Sequence, residues 1–204
     1  MGDFLSDGPR TAALTLVLAH GAGAAMDSPF MNVIAKGIAA EGFGAVRFEF
    51  PYMRRRRETG KGGAPDSPSV LVQSWRDVIS ELGPARLVIG GKSMGGRIAS
   101  MVADDAKVRG LVCLGYPFHP PGKPEGTRTK HLENLKTPTL ILQGTRDSFG
   151  APEDVVRYKL SRKIRIEWIE DGDHSFKPRA RSGRTESDNL RAAIAHIVKF
   201  MRSL

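Results

Sequence analysis

The sequence predicts one α/β domain over residues 1–204, with about six parallel strands flanked by helices and no large cap. Three observations carry this reading. Apolar runs of strand length alternate with segments of helical period from end to end. Most of these runs are apolar at nearly every position, as strands covered on both faces are. No internal repeat and no linker-like stretch interrupts the alternation.

Leu14-Thr15-Leu16-Val17-Leu18-Ala19 is the first strand. Ser28-Pro29 then places an N-cap before a proline at the first helical position, and Gly42 is set to end that helix. Ala45–Phe50 is the second strand, and the basic, glycine-rich stretch Pro51–Asp66 reads as a loop. Ser67-Pro68 opens a helix on which Leu71, Trp75, Val78, Ile79 and Leu82 recur with helical period. Strands follow at Arg86–Gly90, Gly110–Leu114 and Thr139–Gln143, with a Pro- and Gly-rich loop at Tyr116–Lys130. The last strand, Ile164–Ile169, begins with strict apolar–charged alternation, which suits the edge of a sheet. Leu190, Ile194, Ile197, Val198 and Met201 mark the closing helix. Both long loops begin where a strand ends. They belong to the carboxyl edge of the sheet, where open α/β folds bind ligands, and are the expected substrate-contacting segments.

Composition narrows the function classes. The chain is 40% hydrophobic and 26% charged, ordinary for a soluble globular protein. The apolar run at 12–18 is too short to cross a membrane and lacks signal-peptide flanks. Cys113 is the only cysteine, which excludes an internal disulfide and suits a reducing compartment, so a cytoplasmic location is expected. No His-x-His or His-Glu-x-x-His spacing occurs, so no metal is expected. The net charge of +9 is partly concentrated at Arg54–Arg57 and at Lys177, Arg179, Arg181 and Arg184. Neither cluster is interleaved with aromatics that could stack on bases, so nucleic acid is not an expected partner. Arg54–Arg57 reads as solvated charge or, if it faces a pocket, as a patch that favours anionic substrates.

The chemistry centres on Gly91-Lys92-Ser93-Met94-Gly95, a G-x-S-x-G nucleophile elbow between a strand and a helix. The chain must reverse from strand to helix in about one residue, so the neighbours must be small and the serine backbone strained. Gly91-Lys92-Ser93 also matches the tail of a phosphate-binding G-x-x-x-x-G-K-[ST] loop, but that loop needs glycine where Arg86 stands, and Leu87-Val88-Ile89 reads as strand.

A serine needs a base, and the base needs an orienting acid. Asp147 and His174 follow Ser93 in the order Ser, acid, His, each just past its own strand. Asp171 and Asp173 are rival acids, but they come after the last strand and too close to His174. The N–H of Met94 and that of Ala22, in the His20-Gly21-Ala22-Gly23 loop, are the expected oxyanion donors. His20, at a strand end, reads as a residue that holds this loop.

With these motifs in place the chain resembles the α/β-hydrolases over Leu14–Met201, and within them the small, compact group related to dienelactone hydrolases. His20-Gly-Ala-Gly, Phe50-Pro-Tyr, Gly91-Lys-Ser-Met-Gly-Gly-Arg and Gly144-Thr-Arg-Asp are similar to a bacterial set with eukaryotic relatives. The resemblance implies six parallel strands and esterase-like chemistry. Dienelactone hydrolases proper use cysteine where this chain has Ser93, so their substrate does not carry over. One eukaryotic relative is a non-enzymatic subunit of a chromatin-modifying complex, which makes a catalytically idle, partner-binding scaffold the alternative. The expectation is a serine hydrolase of carboxylesterase or thioesterase type. It would act through an acyl-enzyme on a small-molecule ester, with no cofactor, metal, nucleic-acid or membrane partner.

Overall fold

The computed structural model describes residues 3–204; residues 1 and 2 of the expected domain lie outside the described residues. A sheet of seven strands runs in the order β1-β3-β2-β4-β5-β6-β7. The strands are β1 (Leu5–Asp7), β2 (Thr15–Ala19), β3 (Gly44–Phe48), β4 (Leu87–Lys92), β5 (Gly110–Leu114), β6 (Thr139–Gly144) and β7 (Ile164–Ile169). The six strands from β2 to β7 are parallel, and β7 forms one edge, as its alternation predicts. The other edge is β1, antiparallel to β3 and not foreseen. At three residues it is too short to carry a periodic signal. It is held partly by an ion pair, since Arg47, buried in the middle of β3, donates to Asp7 at 2.6 Å.

Alternate side chains of the inner strands enter two cores. Leu16, Leu18, Val88, Val112, Leu140 and Leu142 meet α1 (Pro29–Ala40) and α7 (Glu186–Arg202) on one face. Val17, Ile89, Leu111 and Ile141 meet α3 (Pro68–Leu82) and α4 (Met94–Ser100) on the other. Two short helices, α5 (Ala103–Ala106) and α6 (Pro152–Val155), fill connections. Ser28 and Ser67 stand at N-cap positions, yet neither side chain makes a capping bond; the prolines after them start the helices. Among the described residues no helix is long and apolar enough to cross a membrane.

Pro51–Asp66 departs from the loop expected of it. Its first part is a helix, α2 (Pro51–Thr59). Pro51 occupies the first turn, the arginines are good helix formers, and Gly60 closes the helix at φ 66°. Tyr52 and Met53 anchor it in the core. The arginines are therefore set by helical geometry, and several meet carboxylates. Arg57 bridges Glu49 at 2.6 Å and Asp27 at 2.9 Å, and Arg55 reaches Asp66 at 2.5 Å. Glu49 is almost fully buried, so Arg57 neutralises a charge that water does not reach. Arg57→Ala is expected to lower the melting temperature by about 2–6 °C, the scale for losing a partner of a buried group. Arg56→Ala, which breaks no carboxylate pair among the described residues, should change it by less than about 1 °C. Thermal denaturation of both variants checks this.

Candidate active site

Ser93 joins β4 to α4 with φ 51° and ψ −115°, a conformation disfavoured for a residue with a side chain. The contacts around it hold the strain. A Cβ on Gly95 would stand 2.6 Å from the His20 carbonyl, and one on Gly96 would stand 2.6 Å from the Gly91 carbonyl. Bare backbone lets α4 start hard against β2 and β4, and the Trp75 indole N–H ties down the Gly95 carbonyl at 3.3 Å. The Ser93 side chain is left facing a cavity.

The structure brings Ser93, His174 and Asp147 into one chain of hydrogen bonds. His174 Nδ1 lies 2.8 Å from Asp147 Oδ2, and His174 Nε2 lies 2.8 Å from Ser93 Oγ. A carboxylate can only accept, so Nδ1 carries the proton and Nε2 is left to accept from the serine hydroxyl. Asp147 is fully buried just past β6. Its Oδ1 accepts from the Phe149 N–H at 2.9 Å, and its Oδ2 also accepts from Gln143 Nε2 at 2.8 Å. The Phe149 ring lies over His174 at a centroid distance of 4.3 Å. The rival acids are engaged elsewhere. Asp171 pairs with Arg179 and Arg146, and Asp173 accepts from the N–H groups of Ser175 and Lys177.

Sequence reasoning missed Gln143. Its side chain is fully buried, and its carbonyl accepts the Tyr116 N–H at 2.7 Å. Its amide nitrogen lies 3.2 Å from the carbonyls of both Tyr116 and Gly150. One amide thus joins Asp147 to the ends of β5 and of the loop after β6. The available signal was a lone amide closing the apolar run Leu140-Ile141-Leu142. Lys92 was also missed; its ammonium donates to the His174 carbonyl at 2.6 Å.

His20 is buried and makes two bonds. Its Nδ1–H donates to the Gly21 carbonyl at 2.7 Å, and its Nε2 accepts the Phe50 N–H at 3.1 Å. Burial lowers its pKa, which keeps this neutral pattern. The Tyr52 hydroxyl, its pKa pushed up to about 12 by burial, stands 3.1 Å from the Ala22 carbonyl and 3.3 Å from that of Gly21. Across a trans peptide the N–H points opposite the C=O, so the Ala22 N–H is directed away from His20 and Tyr52. Met94 begins α4, where an N–H has no acceptor within the helix.

A cavity of about 520 Å³ opens beside Ser93 and His174. Its walls come from Gly21–Ala24, the start of α1 at Ser28–Met31, Phe149, Ser175 and Glu186. Neither long segment expected to contact substrate contributes to it. Tyr52 and Met53 of the first and Tyr116 and Phe118 of the second are drawn into the core instead. Arg56 and Arg57 line a separate cleft with Asp27 and Met53.

Two outcomes follow from this geometry. Gln143→Leu removes a donor from a buried carboxylate and should cost about 1–3 kcal/mol in chemical denaturation. Replacing Arg54–Arg57 together with serine should leave the ratio of kcat/KM for an anionic against a neutral ester unchanged at low and high salt, because none of these arginines lines the cavity beside Ser93.

Residues 12–202 match the family model described as an alpha/beta hydrolase domain. The fold is similar to that of an alpha-beta serine hydrolase homologue from Coxiella burnetii, at TM-score 0.70 and 22% identity, covering 96% of this chain and 89% of that one. It is similar to XC6422 from Xanthomonas campestris, a serine hydrolase without lid, at TM-score 0.68 and 20% identity over 97% and 88% of the two chains. It is also similar to dienelactone hydrolase from Anabaena variabilis, at TM-score 0.72 and 19% identity over 98% and 90%. At these identities the likeness is one of fold, and membership rests on the family match: the chain belongs to the alpha/beta hydrolase family.

Proposed function

We propose that the protein is a serine hydrolase that cleaves a small ester or thioester through an acyl-enzyme. The observation that carries the reading is the unbroken chain Ser93–His174–Asp147, with both links at 2.8 Å and the carboxylate fully buried. Ser93 Oγ attacks the substrate carbonyl while its proton passes to His174 Nε2. Asp147 keeps the ring in the Nδ1–H tautomer and stabilises the imidazolium. The negative charge on the carbonyl oxygen is met by the N–H groups of Ala22 and Met94. The directed Ala22 peptide and the free first turn of α4 support this pair. His174 gives the proton to the leaving group, and the acyl-enzyme remains. Water then repeats the sequence with His174 as base, releasing the acid and restoring Ser93.

The small cavity with Phe30, Met31 and Phe149 in its walls suits a short apolar acyl or alcohol group. No step needs a cofactor. The lone, buried Cys113 fits a cytoplasmic setting.

The deciding experiment is labelling with a fluorophosphonate, which reacts with an activated serine. Labelling at Ser93, lost in Ser93→Ala together with turnover of short p-nitrophenyl esters, is the expected result. A folded wild-type protein that neither labels nor turns over would instead favour a partner-binding scaffold. Asp147→Asn and His174→Ala should each lower kcat by roughly 10³–10⁵. The double variant should lose little more, because the residues act as one unit. Should Asp147→Asn be nearly silent and Asp173→Asn severe, the acid is misassigned.

A further inference from the structure

The mechanism above leaves Lys92 unused, although it sits between Gly91 and the nucleophile. Its side chain is about 9% exposed at the end of β4 and forms part of the cavity wall beside Ser93. The ammonium donates to the carbonyl of His174, 82 residues away, at 2.6 Å, and lies 5.8 Å from the centre of the Phe30 ring. Among the described residues this is the one hydrogen bond made by the main chain of His174. Gly115, at φ 64°, leaves room for it: a Cβ there would stand 2.8 Å from the His174 carbonyl and 3.1 Å from the ammonium.

Stability alone does not account for this charge. A buried ammonium is costly, and a methionine would fill the same space without that cost. Burial lowers its pKa to about 8, opposed by the negative charges of Asp147 and Asp173. The other titratable groups on this cavity wall are His174 itself and Glu186.

We infer that Lys92 is a positioning residue for the hydrolytic reaction: by gripping the His174 carbonyl from the strand that carries Ser93, it holds the base at the place where its imidazole meets both Ser93 and Asp147. This rests on Ser93 being the nucleophile. The link is direct, because residue 92 is bonded to residue 93 and its far end clasps the base's own backbone. A shift in the His174 backbone would carry the ring out of register with both 2.8 Å contacts. The grip is also charge-assisted. When the ammonium loses its proton a weaker neutral donor remains, and positioning loosens at alkaline pH, where a free imidazole would stay competent as a base.

The test uses the full chain, with p-nitrophenyl acetate turnover and the rate of Ser93 labelling by a fluorophosphonate measured from about pH 6 to about pH 10. Wild type should show both rates falling on the alkaline side as the ammonium, its pKa lowered by burial to about 8, loses its proton. Lys92→Met, folded by circular dichroism, should lose about 10–100-fold in kcat and in labelling rate. Its KM should stay within about twofold, and its alkaline decline should disappear. Lys92→Gln, which can donate without charge, should fall between the two and also lack the decline. A folded Lys92→Met with kcat within about twofold of wild type, or with the alkaline decline intact, overturns the inference. So does a wild-type profile that is flat from about pH 7 to about pH 9.5, whether or not the variants fold. Failure of the nucleophile assignment looks different, since wild type would then neither label nor turn over at any pH.

Discussion

The site depends on one strained residue. Ser93 can hold φ 51° only because β4 and α4 are pinned on both sides of it. The strand is hydrogen-bonded to two neighbours, and the helix begins against the carbonyls at the end of β2. Glycines at 91, 95 and 96 remove the side chains that would push these segments apart. If the approach loosened, the serine would relax toward an ordinary conformation and its hydroxyl would leave the line set by His174. The same approach brings the first turn of α4 close to the His20–Gly23 loop. One packing contact therefore sets the relation of Ser93 to His174 and to the N–H groups proposed to face it.

Burial of Asp147 imposes the second constraint. A carboxylate removed from water is tolerated only where donors replace the lost hydration. Here the donors are the Phe149 N–H, the Gln143 amide and the His174 ring. Two of them come from the turn that follows β6 and from β6 itself, so Asp147 is held by its own segment as well as by the histidine. Gln143 carries this order outward by gripping the backbone at Tyr116 and Gly150. That ties the ends of neighbouring strands to a single charge.

Charge elsewhere follows the same logic with a different result. The arginines of α2 look from composition like a patch seeking an anion. In three dimensions Arg55 and Arg57 are matched by Asp66, Asp27 and Glu49. They lock α2 to the end of β3 and do not line the cavity beside Ser93, whose charged walls are Lys92 and Glu186. Tyr52, on the same helix, holds the carbonyls of the Gly21–Ala22 loop, so α2 acts on the site through that loop.

Much of this was legible in one dimension. Continuous apolar runs mark parallel strands because both faces must be covered, and the edge strand betrays itself by alternation. The elbow is readable because a strand-to-helix reversal demands glycines at set spacing, and the order Ser93, Asp147, His174 follows from each residue closing a strand. What stayed hidden depends on partners distant in sequence. β1 exists only through its pairing with β3, and α2 was obscured because arginines and glycines say little about burial. Gln143 and Lys92 looked like incidental polar residues until folding set them against Asp147 and the His174 carbonyl. Local spacing determined which polar groups stand at the strand ends and in what chain order. Only the tertiary structure decided what holds them and where the cavity opens, because hydrogen-bond partners and pocket walls are chosen by proximity in space, which the spacing of residues along the chain does not encode.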